Sequence, residues 1–318
     1  MTVKMNRIQT ATAAPDNALE QAEIELRTMR DLLRFAVSYF NQSDFFLGHG
    51  LPSAYDEAAH LILHALCLVP DQLELFLEAR LTRQERTRIL HLIERRVREK
   101  IPAAYLTHEA WLGDFNFYVD ERVIIPRSFI AELLQTDLSP WITEPDEIHQ
   151  VLDLCTGSAC LAILLAYAFE NATIDAGDIS LPALEVAHRN ITNYDLTDRI
   201  NLIHSDLFTQ MDNKRYDIII SNPPYVKTES MASLPEEYLH EPELALAGGV
   251  DGLDVIRNIM RDAARYLTKH GLLILEIGHN RDAFEASFPK LSCTWLETSA
   301  GDQFVVMIKR SDLSAEQD

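Results

Sequence analysis

The sequence predicts an α/β protein: a Rossmann-like, seven-stranded, mostly parallel sheet, preceded by a small helical domain and a connecting β-hairpin. Three observations predict it. From Val151 onward, apolar runs of four to six residues alternate with helical stretches, the pattern of strands buried under covering helices. From about Ile24 to Lys100 the apolar spacing is helical. Between the two, Trp111, Phe115, Phe117 and Tyr118 surround Gly113, as in a hairpin.

In chain order, residues 1–22 are polar and Ala/Thr-rich without a period, a flexible N-terminus. Residues 23–100 form the helical domain. Its helices run from Asp31 to Phe40, from Ala54 to Leu68 behind Pro52 and Ser53, and from the capping box Thr82-Arg83-Gln84-Glu85 to Lys100. Residues 101–125 are the hairpin linker, and 126–310 the α/β domain. Strands are expected near 151–154, 173–176, 200–204, 218–221, 272–277, 295–298 and 304–308. The last follows the short turn Ser299-Ala300-Gly301-Asp302, so it should run antiparallel to its neighbours. Residues 311–318 read as a tail.

Composition narrows the function. The 318 residues are 47% hydrophobic and 24% charged, ordinary for a soluble globular protein. No apolar run approaches the roughly 18 residues of a membrane span, and the first residues lack a secretory apolar core. A cytoplasmic protein is expected. Cys67, Cys155, Cys160 and Cys293 are scattered in apolar contexts and read as reduced core thiols. No Cys-x-x-Cys pair occurs, and His60 and His64 read as helix-face histidines, so no metal site is expected. The net charge of −21 repels naked nucleic acid, whereas a basic protein partner would be attracted. From Thr228 to Ile256 there are seven acidic residues and no Lys or Arg.

The most informative stretch is Asn222-Pro223-Pro224-Tyr225, just past the apolar run Tyr216 to Ser221. Ligands in open α/β sheets bind at such strand ends. Two prolines make a stiff turn with unpaired carbonyls, and Asn222 adds a side-chain carbonyl. Such rigid acceptors, with an aromatic ring beside them, suit a planar NH2 group whose nitrogen must attack. Upstream, Asp153-Leu154-Cys155-Thr156-Gly157-Ser158-Ala159 is a strand end, a tight turn and a helix start. Asp178 closes the next strand about twenty residues on, where a carboxylate can accept both hydroxyls of a ribose. Asp206 closes the third and could reach an adenine amino group. Each acid alone could be a helix cap, but together with Asn222 they describe a nucleoside-binding row. The dinucleotide signature Gly-x-Gly-x-x-Gly is absent, which points to S-adenosylmethionine.

Residues 32 to 309 resemble the class I methyltransferases that modify the glutamine side-chain amide in translation proteins. The resemblance rests on Asp153 to Gly157, Asp178-Ile179-Ser180, Ser205 to Phe208, Asn222 to Tyr225, Glu241-Pro242 and Leu275-Glu276-Ile277-Gly278. It implies S-adenosylmethionine as cofactor, held by Asp153, Cys155, Thr156, Gly157, Ala159, Asp178, Asp206 and Asn222. It also implies Asn222, Pro223 and Tyr225 as the catalytic group, and these with Pro224 and Arg127 as the substrate-binding set. The helical domain would then recognise substrate. Two branches compete, one acting on release factors and one on large-subunit ribosomal protein three. Pro126-Arg127-Ser128-Phe129-Ile130-Ala131-Glu132, Ala104 to Thr107 and Val119 to Val123 favour the ribosomal branch. Ala159 replaces a family glycine, Phe129 a usual proline and Leu112 a usual aromatic. Weaker cofactor binding or altered substrate fit is expected from these. Two readings from other classes stay open: an adenine-amine methyltransferase on nucleic acid, and a non-catalytic binding protein.

Overall fold

The structure is a computed structural model that describes residues 17–211 and 214–315. The chain divides into two compact units, one running through Thr107 and the other beginning at His108.

The first unit is helical, with principal helices Ala18–Glu25, Met29–Gln42, Ala54–Leu66, Arg83–Arg98 and Ala103–Thr107. Side chains start three of them. Thr28 and Asp31 form a capping box, Ser53 accepts from Asp56 N, and Thr82 and Glu85 form the predicted box. Leu32, Phe40, Leu61, Ile62, Ile89 and Ile93 fill the core. Within it Arg96 pairs with Glu57 and donates 2.7 Å to the Phe46 carbonyl.

Three expectations change here. Residues 17–22 are not a frayed end: the helix begins at Ala18, Ala22 is buried, and Arg86 Nε donates 3.1 Å to the Glu23 carbonyl. Residues 1–16 lie outside the described residues. Cys67 is an exposed helix cap rather than a core thiol, its φ of 56° ending the helix at Leu66. The stretch expected to open the hairpin at Ile101 instead forms the buried helix Ala103–Thr107, whose Ala103 and Leu106 pack into this core.

The second unit opens with a hairpin of β1 (Ala110–Leu112) and β2 (Phe115–Phe117). The large sheet contains β3 (Gln150–Leu154), β4 (Thr173–Asp178), β5 (Ile200–His204), β6 (Tyr216–Ser221), β7 (Leu267–Glu276), β8 (Thr294–Thr298) and β9 (Gly301–Lys309). Its order is β5-β4-β3-β6-β7-β9-β8. As expected, the last strand, β9, pairs antiparallel with both neighbours, and the pairs from β5 across to β7 are parallel. Val151, Ile218 and Ile220 face one core, and Leu152, Leu154 and Ile219 face the other. Burial on both faces is why these strands read as unbroken apolar runs.

β7 begins at Leu267, five residues earlier than expected. Its polar Thr268, Lys269 and His270 hide the strand, and its register against β6 shifts before Ile218↔Leu272. Residues 311–315 are not a tail but part of the helix Arg310–Ala315, anchored by buried Leu313. Strand order reverses between β3 and β6, the position at which open α/β sheets form a ligand crevice. No single helix among the described residues is long and apolar enough to cross a membrane.

Candidate active site

A crevice of about 980 Å³, counting its open mouth, lies at the carboxyl ends of β3, β4, β5 and β6. Of the residues expected at a cofactor, Cys155, Gly157, Asp178, Asp206 and Asn222 line it, as does Pro224. Asp153, Thr156 and Ala159 are not among its lining residues. They build the turn behind it: Thr156 Oγ1 donates 2.6 Å to Asp153 Oδ2, and Thr156 N donates 3.0 Å to the Gly177 carbonyl.

The turn is tight. Cys155, Gly157 and Ala159 have φ of 60°, 56° and 63°, in the left-handed region that favours glycine. At Gly157 a Cβ would find only Ile124 Cγ2, at 4.0 Å. It would stand in the crevice, so glycine leaves that space to a ligand. Ala159, expected to weaken cofactor binding, does not put its methyl in the crevice. It is fully buried in the core with Leu161 and Ala162, so its cost lies in backbone conformation.

Asp178 Oδ2 accepts from Gly157 N at 2.9 Å, and Oδ1 from Ser180 N at 2.8 Å. Burial pushes this carboxyl up, opposed by those amides and by His204. Its remaining lone pairs face a crevice wide enough for a nucleoside. Burial also pushes Asp153 up to about 7 despite its Thr156 bond, and raises the Cys155 and Cys160 thiols, the latter to about 12. Both thiols stay protonated and are poor nucleophiles. Glycine-lined space at Gly157 and Gly177 beside the Asp178 carboxylate fits S-adenosylmethionine.

Beyond β6, Ser221 Oγ donates 2.7 Å to the Leu154 carbonyl and fixes the start of the proline turn. Among the described residues, neither the Asn222 side chain nor the Pro223 carbonyl has a protein hydrogen-bond partner. Tyr225 is held instead. Its hydroxyl donates 3.1 Å to Glu276 Oε1, and its carbonyl accepts from Asn280 Nδ2 at 2.8 Å. Burial, and then the Glu276 carboxylate, raise the Tyr225 hydroxyl far above its usual range. Ser128 Oγ and Phe129 N bond the other Glu276 oxygen at 2.6 and 2.9 Å. Phe129 also packs its ring against Phe304, centroids 5.0 Å apart.

Arg127 lies outside the crevice lining. Its Nη1 and Nη2 donate to Glu241 Oε1 and Oε2 at 2.5 and 2.6 Å, and Glu241 Oε1 also accepts from Ile125 N at 3.1 Å. This bidentate pair joins 123–127 to 241–247, and Val123, Ile124, Leu244 and Ala245 from these segments line the crevice. Arg122, also in the lining, was not foreseen as a site residue. Its Nε donates 2.9 Å to Asp120. Burial opposes ionisation of Asp120, but the Arg122 bonds overcome it and hold the carboxyl down at about 2. Glu276 and Asn280 were not foreseen either. Glu276 sits in a quoted motif, whereas Asn280 has no sequence signal beyond following Gly278.

A family profile described as Methyltransferase small domain matches residues 132–250. A Neisseria meningitidis serogroup B protein named ribosomal protein uL3 glutamine methyltransferase is 58% identical over 93% of this chain and 98% of its own length. The chain belongs to the ribosomal protein uL3 glutamine methyltransferase family. Other relatives of that name are 53% identical, from Bordetella pertussis, over 91% of this chain and 97% of their own, and 47% identical, from Bradyrhizobium diazoefficiens, over 97% and 100%. As a uL3 glutamine methyltransferase family member the chain is a methyltransferase, and membership falls in the ribosomal branch of the two left open by its motifs.

Proposed function

We propose that this protein transfers a methyl group from S-adenosylmethionine to the side-chain amide nitrogen of a glutamine in ribosomal protein uL3. The observation that carries the reading is the unpartnered acceptor pair, Asn222 and Pro223, on a rigid turn beside a nucleoside-sized crevice. Asp178 would accept the ribose hydroxyls, and Asp206 the adenine amino group. Bound there, S-adenosylmethionine supplies an electrophilic methyl on its sulfonium.

The chain's own groups handle the amide. A carboxamide nitrogen is a poor nucleophile, because its lone pair is delocalised into the carbonyl. The Asn222 side-chain oxygen and the Pro223 carbonyl accept its two hydrogens and aim the nitrogen, an entropic contribution. As the nitrogen becomes positive, the same acceptors bind it more strongly than in the ground state. The Tyr225 ring packs on the amide, and the product proton leaves to solvent. The net charge of −21 disfavours the nucleic-acid reading and suits a basic ribosomal protein, free or in an assembling subunit.

Asn222→Ala tests the assignment by methyl incorporation into recombinant uL3 at saturating cofactor, with thermal melting as the fold control. The rate should fall about 10²–10³-fold, by analogy with the loss of one oxyanion-hole donor. A folded variant keeping more than about a tenth of the rate would have lost under about 1.4 kcal/mol, too little for the orienting acceptor.

A further inference from the structure

Tyr225 is gripped at both ends by buried polar side chains that bind nothing in the crevice. Asn280, 4% exposed, donates to its carbonyl at 2.8 Å. Glu276, 1% exposed, accepts from its hydroxyl at 3.1 Å. Gly252 lies directly over the first bond: a Cβ there would come within 2.5 Å of both Asn280 Nδ2 and the Tyr225 carbonyl oxygen. The bond therefore needs a residue without a side chain above it. Further on, Val226 N donates to the Leu246 carbonyl and Gly248 N to the Val226 carbonyl, each at 2.8 Å.

The turn thus hangs between the Ser221 bond to Leu154 on one side and, on the other, the double grip on Tyr225 with the Val226 backbone bonds beyond it. Proline fixes φ at 223 and 224, so few torsions stay free between them. Whatever sets Tyr225 sets where the Pro223 carbonyl and the Asn222 side chain point.

We propose that Asn280 is a positioning residue for methyl transfer, with Glu276 as its counterpart at the other end of Tyr225. This rests on the acceptor role given above to Asn222 and Pro223. Asn280 is not among the residues that line the crevice. It holds the backbone so that the two acceptors meet the amide hydrogens in line, where a displacement of about 1 Å can cost roughly 10² in rate.

The test compares Asn280→Asp, Asn280→Ala, Tyr225→Phe and Leu313→Ala with the parent enzyme. Asn280→Asp keeps the shape but replaces the amide donor by a carboxyl, which can bond the Tyr225 carbonyl only while it keeps its proton. Asn280→Ala removes the donor, and Tyr225→Phe releases the Glu276 end. Leu313→Ala destabilises the fold at the buried helix Arg310–Ala315. Turnover and KM are measured with recombinant uL3, the cofactor dissociation constant by calorimetry, and stability by melting.

The Asn280 and Tyr225 variants should lose about ten- to a hundredfold in kcat. Their KM and cofactor dissociation constants should stay within about threefold, because every variant keeps the Tyr225 ring and leaves the crevice lining unchanged. Leu313→Ala should melt earlier and turn over normally below its transition. Unchanged kcat in a folded Asn280 variant overturns the proposal, as does an equal kcat loss in Leu313→Ala. If neither Asn280 variant folds, Tyr225→Phe decides in the same way. Asn222→Ala run in parallel separates the two ideas. If Asn222→Ala is inactive while the Asn280 variants are fully active, only the positioning role falls, whereas full activity in Asn222→Ala overturns both.

Discussion

Asp178 holds the amides of Gly157 and Ser180 with one carboxylate, and in the proposed function the same group also accepts the ribose hydroxyls. Asp178→Ala should therefore weaken S-adenosylmethionine binding about tenfold or more, since hydrogen bonds to charged groups contribute roughly 1.5–3 kcal/mol. It should also lower the melting temperature, because the amide clamp goes too. Calorimetry with an unchanged dissociation constant would place the ribose acid elsewhere. Ala159 calls for a smaller number. Glycine would relieve a left-handed φ worth about 1–2 kcal/mol. It would also remove a buried methyl worth about 0.8 kcal/mol and loosen the unfolded chain by about 0.4–1 kcal/mol. These nearly cancel, so Ala159→Gly should change stability by less than about 1 kcal/mol and leave cofactor affinity level; a sharp loss of affinity would mean the loop has adapted to alanine. Asp178 was legible because it closes a strand about twenty residues beyond a glycine turn. Asn280 was not, because an Asn just before the helix Arg281–Ser287 reads as an ordinary cap, and its partner lies 55 residues away.

Two connections between elements carry measurable consequences. The Asp153 carboxyl at the end of β3 rises from its usual 3.8 to about 7, so the folded protein keeps a proton that the unfolded chain has released. The associated stability is fully present below about pH 4 and is lost as pH rises through about 7, at up to roughly 1.4 kcal/mol per pH unit. Between pH 5 and 7, denaturant unfolding should show the parent losing about 2–3 kcal/mol relative to Asp153→Asn, which has no proton to release. Parallel pH curves for the two proteins would show that Asp153 is ionised throughout. The second connection is Arg127–Glu241. Glu241 is buried, so Arg127→Ala should destabilise by about 3–5 kcal/mol and Arg127→Ala/Glu241→Ala by clearly less than the sum of the single changes. Additive losses in that double-mutant cycle would mean the pair does not bind the segments together. Elements were legible in proportion to their apolar period. β3 to β6 stood out because both faces are buried, whereas the first turn of β7 and the helix Ala103–Thr107 did not, since Lys269 and His270 break the apolar run and five residues are too short to show a helical period.

At the scale of the molecule, a net charge of −21 would attract a basic ribosomal substrate, as the proposed function requires. Electrostatic attraction acts mainly on encounter. Raising ionic strength from about 0.1 to 1 M shortens the Debye length from about 10 to 3 Å. kcat/KM for uL3 should then fall about tenfold or more, with kcat nearly constant. A salt-independent kcat/KM would assign the charge to solubility alone. Seven strands could be counted from the sequence, but no local pattern states that β6 inserts beside β3, and that adjacency makes the crevice. It also sets a timetable. In synthesis, the ribose acid and the cofactor turn emerge first, the acceptor turn later, and its supports Glu276 and Asn280 later still. Asn280 follows Asn222 by 58 residues, about 3–12 s at roughly 5–20 residues per second. Because a domain generally folds as a unit, and the crevice is lined as far along the chain as Asn258, a nascent chain should gain donor binding and methyl-transfer competence together, only after β7 and these supports have emerged.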